Sequence, residues 1–207
     1  MNPIRYVVAV AGPVGAGKTS LVKAVAQTLV DATMVCYDDY ETATRMSAGD
    51  LTRWIDQGAS FDAFATPRLA ADLNRLKQGL PVGDRSTATG IAPAKYILFD
   101  TPLGREHPDT GGGIDLLVWL ETPLDIALAR KLKQFTGIFV GRSEASDAHH
   151  FVGWLDTYLS GYLEAVGRVL AIQQQRVRAG ADIVLDGLRP LPDLVEQTVA
   201  RIRDQLP

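Results

Sequence analysis

With a single cysteine, Cys36, the chain holds no internal disulfide framework, a scarcity that suits a reducing compartment. Cys36 itself falls in an apolar segment and reads as a packing residue rather than a nucleophile. Histidine is scarce too: there are three, and the adjacent pair His149-His150 would point in different directions from a helix. No cluster of Cys or acids supports that pair, so it reads as surface. An excess of positive charge is also missing. Against 24 Asp and Glu stand 21 Lys and Arg, for a net charge of −3, and the isoelectric point is about 5.6. Binding of phosphodiester backbones calls for a basic face, so nucleic acid is not an expected partner. The uncharged stretch that runs from Tyr6 into a glycine-rich segment is far short of the roughly 20 residues of a membrane span. Residues 1–12 carry one arginine and lack the pattern of a secretion signal. The expectation is a soluble, cytoplasmic protein with no membrane partner. The 207 residues contain no internal repeat, low-complexity tract or long linker, and 46% are hydrophobic. One domain over 1–207 is expected.

What is present is concentrated at residues 12–19, Gly-Pro-Val-Gly-Ala-Gly-Lys-Thr, which fit G-x-x-x-x-G-K-[ST]. An apolar, β-branched run, Tyr6–Ala11, precedes it. A stretch with Leu21, Val22, Val25 and Leu29 at helical spacing follows. Strand, glycine loop and helix form the context in which backbone N–H groups converge on phosphate at a helix N-terminus. Gly12, Pro13, Val14, Gly15, Ala16, Gly17, Lys18, Thr19 and Ser20 are therefore the candidate nucleotide-binding segment. Lys18 is expected to reach the β- and γ-phosphates, and the Thr19 hydroxyl to help hold Mg2+.

Strands and helices alternate along the rest of the chain. A strand over 33–37 runs into Asp38-Asp39-Tyr40-Glu41, and a polar helical stretch follows over 42–57. Leu69, Leu73, Leu76 and Leu80 mark a helix after Pro67 that ends near Gly79, and 81–93 reads as loop. Tyr96–Asp100 is a buried-strand candidate, 101–113 a loop, and 114–120 another strand. Thr122 and Pro123 are suited to start a helix that runs to Gln134. A long helical region over 147–178 carries Gly153, Gly161 and Gly167, where a kink or break is expected. A strand at 183–185 and a helix over 192–206 complete the chain. This order predicts an α/β fold: a P-loop NTPase of three α/β/α layers around a mostly parallel five-stranded sheet, like that of nucleoside and nucleotide kinases. Ligands of such sheets lie at the carboxyl ends of the strands. That places the glycine loop, Asp38-Asp39 and Asp100 on one edge.

These acids point toward a reaction. Phosphoryl transfer to an alcohol requires a carboxylate that accepts the hydroxyl proton beside the γ-phosphate; a turn-capping aspartate is the alternative reading of Asp38 and Asp39. Asp100, after Ile97-Leu98-Phe99, is the candidate Mg2+ ligand together with Thr19. Between Ile126 and Ser143 lie Arg130, Lys131, Lys133 and Arg142 with no acid. A mobile basic lid around 130–147, leading into a loop over 137–141, would neutralise charge developing on the phosphates, with Arg130 the favoured catalytic residue. A guanine-reading Asn-Lys-x-Asp is absent, which disfavours a switch GTPase. A regulatory or switch P-loop protein without kinase activity is the alternative function.

Four segments resemble the uridine kinase branch of the P-loop kinases, which includes phosphoribulokinase and bacterial-type pantothenate kinase. They are 12–20; Tyr37-Asp38-Asp39-Tyr40; Ser60-Phe61-Asp62 with the helix ending Leu76-Lys77-Gln78-Gly79; and Ala181-Asp182-Ile183-Val184-Leu185. The resemblance implies an ATP- and Mg2+-dependent kinase acting on a small-molecule hydroxyl, with dimers or tetramers possible. By position it makes Asp38 the catalytic base in an Asp-x-Tyr element and gives Tyr40 and Asp62 substrate-side roles. It sets Arg130 among the lid arginines. The chain departs from the branch at 82–89, where neither the aromatic nor the histidine that reads a pyrimidine is found. Asp100 also stands for a glutamate, and Arg130-Lys131 for paired arginines. The acceptor is thereby left open to other small alcohols.

Overall fold

The computed structural model describes residues 3–40, 46–83, 90–140 and 145–206, the side chains of 145–147 excepted. Five apolar runs pair as one sheet in the order β2-β3-β1-β4-β5, and every pairing is parallel. The strands are β1 (Tyr6–Ala11), β2 (Ala32–Val35), β3 (Tyr96–Thr101), β4 (Leu116–Glu121) and β5 (Ile183–Asp186). Between and after them come α1 (Lys18–Thr28), α2 (Ala48–Asp56), α3 (Pro67–Lys77), α4 (Leu124–Val140), α5 (Ala145–Gly161), α6 (Gly167–Ala179) and α7 (Leu191–Gln205).

The period-2 alternation of the strands sorts the core into two layers. Val8, Val10, Leu98, Val118 and Leu185 meet Leu21, Val22 and Val25 of α1 and Leu194, Val199 and Ile202 of α7. On the other face Val7, Ala9, Ile97, Phe99 and Leu117 meet Leu69, Leu73 and Leu76 of α3, Trp54 of α2 and Val177 of α6. Because both faces are covered, the central strands are continuous apolar runs rather than alternating ones. The three-layer α/β/α architecture is the expected one. The β1–β3 register sets Val10 opposite Asp100 and Ala11 opposite Thr101. Asp100 thus reaches the sheet edge beside the start of the glycine loop.

Several boundaries differ from expectation. β2 stops at Val35, because Tyr37–Asp39 close a 3-10 turn in which the Tyr40 N–H donates to the Tyr37 carbonyl at 2.9 Å. α2 starts at Ala48, where Ser47 and Asp50 form a reciprocal capping box; the expected start at Thr42 lies outside the described residues, as do 84–89 and Arg142. Thr122 does not cap α4: its hydroxyl is buried without a hydrogen-bond partner among the described residues. α4 does not stop at Gln134 but continues through Gly137 to Val140. Tertiary packing outweighs the roughly 1 kcal/mol disfavour of a helical glycine. Phe135 packs edge-on against Trp154 at 4.7 Å, and Phe139 against Phe151 at 4.3 Å between ring centroids. The expected lid therefore consists, over 130–140, of regular helix. Of the breaks expected in the long helical region, none falls at Gly153, which lies inside regular α5, and one is found as a π-helical turn, Tyr162–Val166, set between Gly161 and Gly167.

Candidate active site

The glycine loop leaves β1 at Ala11 and enters α1 through Gly17, whose φ of +100° is open to glycine without strain. No side chain caps this helix start, so its first N–H groups remain available to an anion at the positive end of the helix dipole. A methyl group at Gly15, where φ is +84°, would overlap the Ala127 carbonyl oxygen. The loop is thus pressed against α4, and the stem of Lys131 lies beside Gly15 as well.

Lys18 donates from Nζ to the Pro13 carbonyl at 3.2 Å. The residue as a whole is partly exposed, but its ammonium is the enclosed end. Desolvation pulls its pKa below that of a free lysine; Asp100 and then Asp38 oppose the shift, and Lys131 adds to it. The Thr19 hydroxyl donates to Asp100 Oδ2 at 2.5 Å, and the Tyr37 N–H donates to Asp100 Oδ1 at 3.1 Å. One carboxylate, only 4% exposed, therefore joins the phosphate loop to the turn that carries Asp38. Thr19 and Asp100 offer two adjacent oxygens, the donor chemistry that suits Mg2+ bound chiefly through phosphates and water. Among the described residues no cluster of three or more His, Cys, Asp or Glu gathers, and such an ion requires none.

Lys18, Asp38 and Asp100 line one cavity of about 290 Å3. Its opposite wall comes from the π-turn and α6, through Val166, Val169, Leu170 and Gln173. α6 is held there by Gln174 and Arg178, which donate to Glu121 at the end of β4 at 2.7 and 2.9 Å. The Gln173 side-chain N–H2 donates to the Gly12 carbonyl at 3.4 Å and also to that of Pro102, bridging the loop after β1 to the loop after β3. Its Oε1 is buried and unpaired among the described residues.

No family model matches the chain, and no curated protein matches it in sequence. Solved structures do. A possible uridine kinase from Bacillus stearothermophilus superposes with a TM-score of 0.50 at 14% identity, over 90% of this chain and 91% of its own. An unliganded sugar kinase from Janibacter sp. HTCC2649 gives 0.50 at 17%, over 99% and 97%. Shikimate kinase from Acinetobacter baumannii, in complex with shikimate, gives 0.54 at 16%, over 98% and 96%. The fold is that of the P-loop kinases.

Within that fold, the other residues singled out from the sequence are placed unevenly. Asp38 is exposed at the cavity, and among the described residues its carboxylate makes no hydrogen bond or ion pair. Tyr40 and Asp62 do not line the cavity: the Tyr40 hydroxyl donates to Asp72 at 2.9 Å, and Asp62 accepts from the Ser60 hydroxyl at 2.8 Å. Arg130 is not on the cavity lining either. Its guanidinium donates to the Gly187 carbonyl at 2.9 Å, in the turn after β5. Ala127 and the stem of Lys131 are the α4 groups against Gly15, while the Lys131 ammonium donates to Gln134 at 3.1 Å and lies over the Phe135 ring. Cys36 sits just beyond β2, half-buried, and desolvation, then the Asp100 carboxylate, push its thiol up to about 11; it is no nucleophile at neutral pH. His149 and His150 are exposed on α5.

Phe61, Phe64 and the α6 wall were not singled out from the sequence as site residues. Their only signal there is apolar spacing, which reads the same for a core face and a cavity wall. Gln173, a polar residue on the apolar face of a helix, is the one position that stood out in principle.

Proposed function

We propose that the chain is an ATP-dependent phosphotransferase that moves the γ-phosphate to the hydroxyl of a small molecule. The observation that carries this reading is the convergence of Lys18, Asp38 and Asp100, the last hydrogen-bonded to Thr19, on one cavity. A nucleotide switch needs one carboxylate to hold Mg2+ at its phosphate site, the role open to Asp100, whereas transfer to an alcohol calls for a further one to accept the hydroxyl proton, the role open to Asp38.

In this reading the amides of residues 12–17 and the α1 N-terminus hold the phosphate tail, and Lys18 draws charge from the β- and γ-phosphates. Thr19 and Asp100 would hold Mg2+, which supplies neutralisation of the phosphate oxygens when bound. Asp38 accepts the acceptor's hydroxyl proton while the acceptor oxygen bonds to the γ-phosphorus and the bond to the ADP oxygen breaks. Arg130 and Lys131 are the α4 cations for neutralising charge that develops on the phosphates, each after leaving its present partner, the Gly187 carbonyl for Arg130 and Gln134 for Lys131. Tyr40, through Asp72, and Asp62, through Ser60, act at a distance by fixing the segments around the acceptor side.

The test measures ADP release with a panel of alcohols for wild type and Asp38→Ala, alongside ATP binding by calorimetry. A true acceptor raises turnover well above background hydrolysis. The substitution removes about 10²–10⁴-fold of that rate, the usual range for a general base, and leaves ATP affinity unchanged. Equal turnover in the two proteins with a true acceptor refutes the base assignment.

A further inference from the structure

The apolar part of the cavity lining has a chemistry of its own. Phe61, Phe64, Leu103, Val166, Val169 and Leu170 surround it, and Phe61 and Phe64 are backed by Trp54, at 5.9 and 5.1 Å between ring centroids. No Arg or His is among the described residues that line it. Arg176, a cation at the aromatic wall, is stacked on Phe61 at 4.0 Å and committed to the Ala59 carbonyl at 2.8 Å and to Glu106 at 3.1 Å. Among the described residues, the charges that face the cavity are Lys18, Asp38 and Asp100. An acceptor bearing a carboxylate or phosphate would find two carboxylates and, among the described residues that line the cavity, no cation besides Lys18. Besides the three charges, the lining offers a polyol only Tyr37, Thr101 and Gln173 among the described residues, and each hydroxyl beyond those would be buried against hydrocarbon at a cost for being left unpaired. The volume, about 290 Å3, is at the small end of ligand sites.

Resting on the phosphotransfer reading above, we propose that the acceptor is a small uncharged alcohol with an alkyl or aryl body, its hydroxyl at Asp38 and its body against the α6 wall. The π-turn is part of this device: it brings Val166 to the cavity at the point where the long helix changes its hydrogen-bonding register, a feature that recurs at functional sites.

The probe is 2-phenylethanol, compared with ribose, glycerol and shikimate. Two readouts are taken: Trp fluorescence, with Trp54→Phe identifying the signal from this wall, and phosphate-ester formation from ATP by 31P NMR. The expected result is a fluorescence change on adding 2-phenylethanol that Trp54→Phe lacks, together with its phosphorylation at a kcat/KM at least on the order of tenfold above the polyols and the acid. Val169→Asp lowers that kcat/KM on the order of tenfold or more while ATP affinity is kept. Phosphorylation of ribose, glycerol or shikimate in preference to 2-phenylethanol overturns the apolar assignment and leaves phosphotransfer standing. Binding of 2-phenylethanol without phosphorylation of any alcohol overturns the acceptor assignment together with phosphotransfer. Absence of the Trp54-dependent signal overturns the apolar site.

Discussion

Asp100 offers the sharpest separation of stability from function. Its two carboxylate oxygens serve two donors of different exposure: the Thr19 hydroxyl at 2.5 Å, on an exposed residue, and the N–H of Tyr37 at 3.1 Å, a residue only 4% exposed. In Asp100→Ala the Thr19 hydroxyl regains water, but the Tyr37 N–H is stranded, so the loss is set by one orphaned donor, about 1–3 kcal/mol. Asp100→Asn keeps the shape. Its carbonyl oxygen still accepts from Tyr37, and its amide donates to the Thr19 oxygen, so the loss is about 1 kcal/mol or less. Function divides differently. Both variants remove the negative charge beside Thr19, and with it the leading attraction that offsets the desolvation of Lys18. Both are therefore expected to lose at least on the order of tenfold of the enhancement that Mg2+ gives to ATP binding, about 1.4 kcal/mol. Urea unfolding with matched m-values reads the first quantity, and calorimetric titration of ATP with and without Mg2+ reads the second. The reasoning is refuted if Asp100→Asn keeps the wild-type Mg2+ enhancement, or if it is as destabilised as Asp100→Ala.

Two further substitutions test the frame of the site. Gly15→Ala must hold a left-handed φ of +84° and push back the Ala127 carbonyl; the backbone strain alone is about 1–2 kcal/mol, a fall in Tm of about 2–8 °C for a domain of this size, with loss of ATP affinity. Gly112→Ala, which meets nothing within 4 Å, serves as the neutral control, and equal ATP binding by the two refutes the claimed contact with α4. His107 is buried, its Nδ1 accepts from the N–H groups of Asp109 and Thr110 at 3.2 and 3.3 Å, and desolvation, opposed by Asp109, lowers its pKa. The unfolded chain then binds a proton that the folded one refuses, so stability declines as pH falls below the ordinary histidine value of about 6.5. In His107→Gln, thermal melts between pH 7 and pH 5 are expected to show a shallower decline; an identical slope excludes His107 as its source.

What could be read in advance follows from the range over which each feature is encoded. The P-loop and the acids Asp38 and Asp100 are local: each is a polar position directly after an apolar run, and a parallel sheet carries every such position to the same edge whatever the rest of the chain does. The π-turn was foreseeable for a related reason, since Gly161 and Gly167 mark where a helix is weak. Side-chain destinations are not local. Arg130 and Lys131 are adjacent, and a rotation of about 100° per residue around α4 decides which one faces Gly15; nothing in the basic cluster fixes that phase before α4 is docked. The same limit hid the apolar wall of the cavity. Val166 and Val169 continue an apolar spacing that begins in the α5 region, and along that series some residues close the core while these two face an opening. The difference arises only when α6 is fastened to Glu121 and Gln173 reaches Gly12 and Pro102. A glutamine on an otherwise apolar helix face is the one local mark of that event. Buried amides are kept where they have backbone to hold, and here the backbone is that of the loops on either side of the phosphate site.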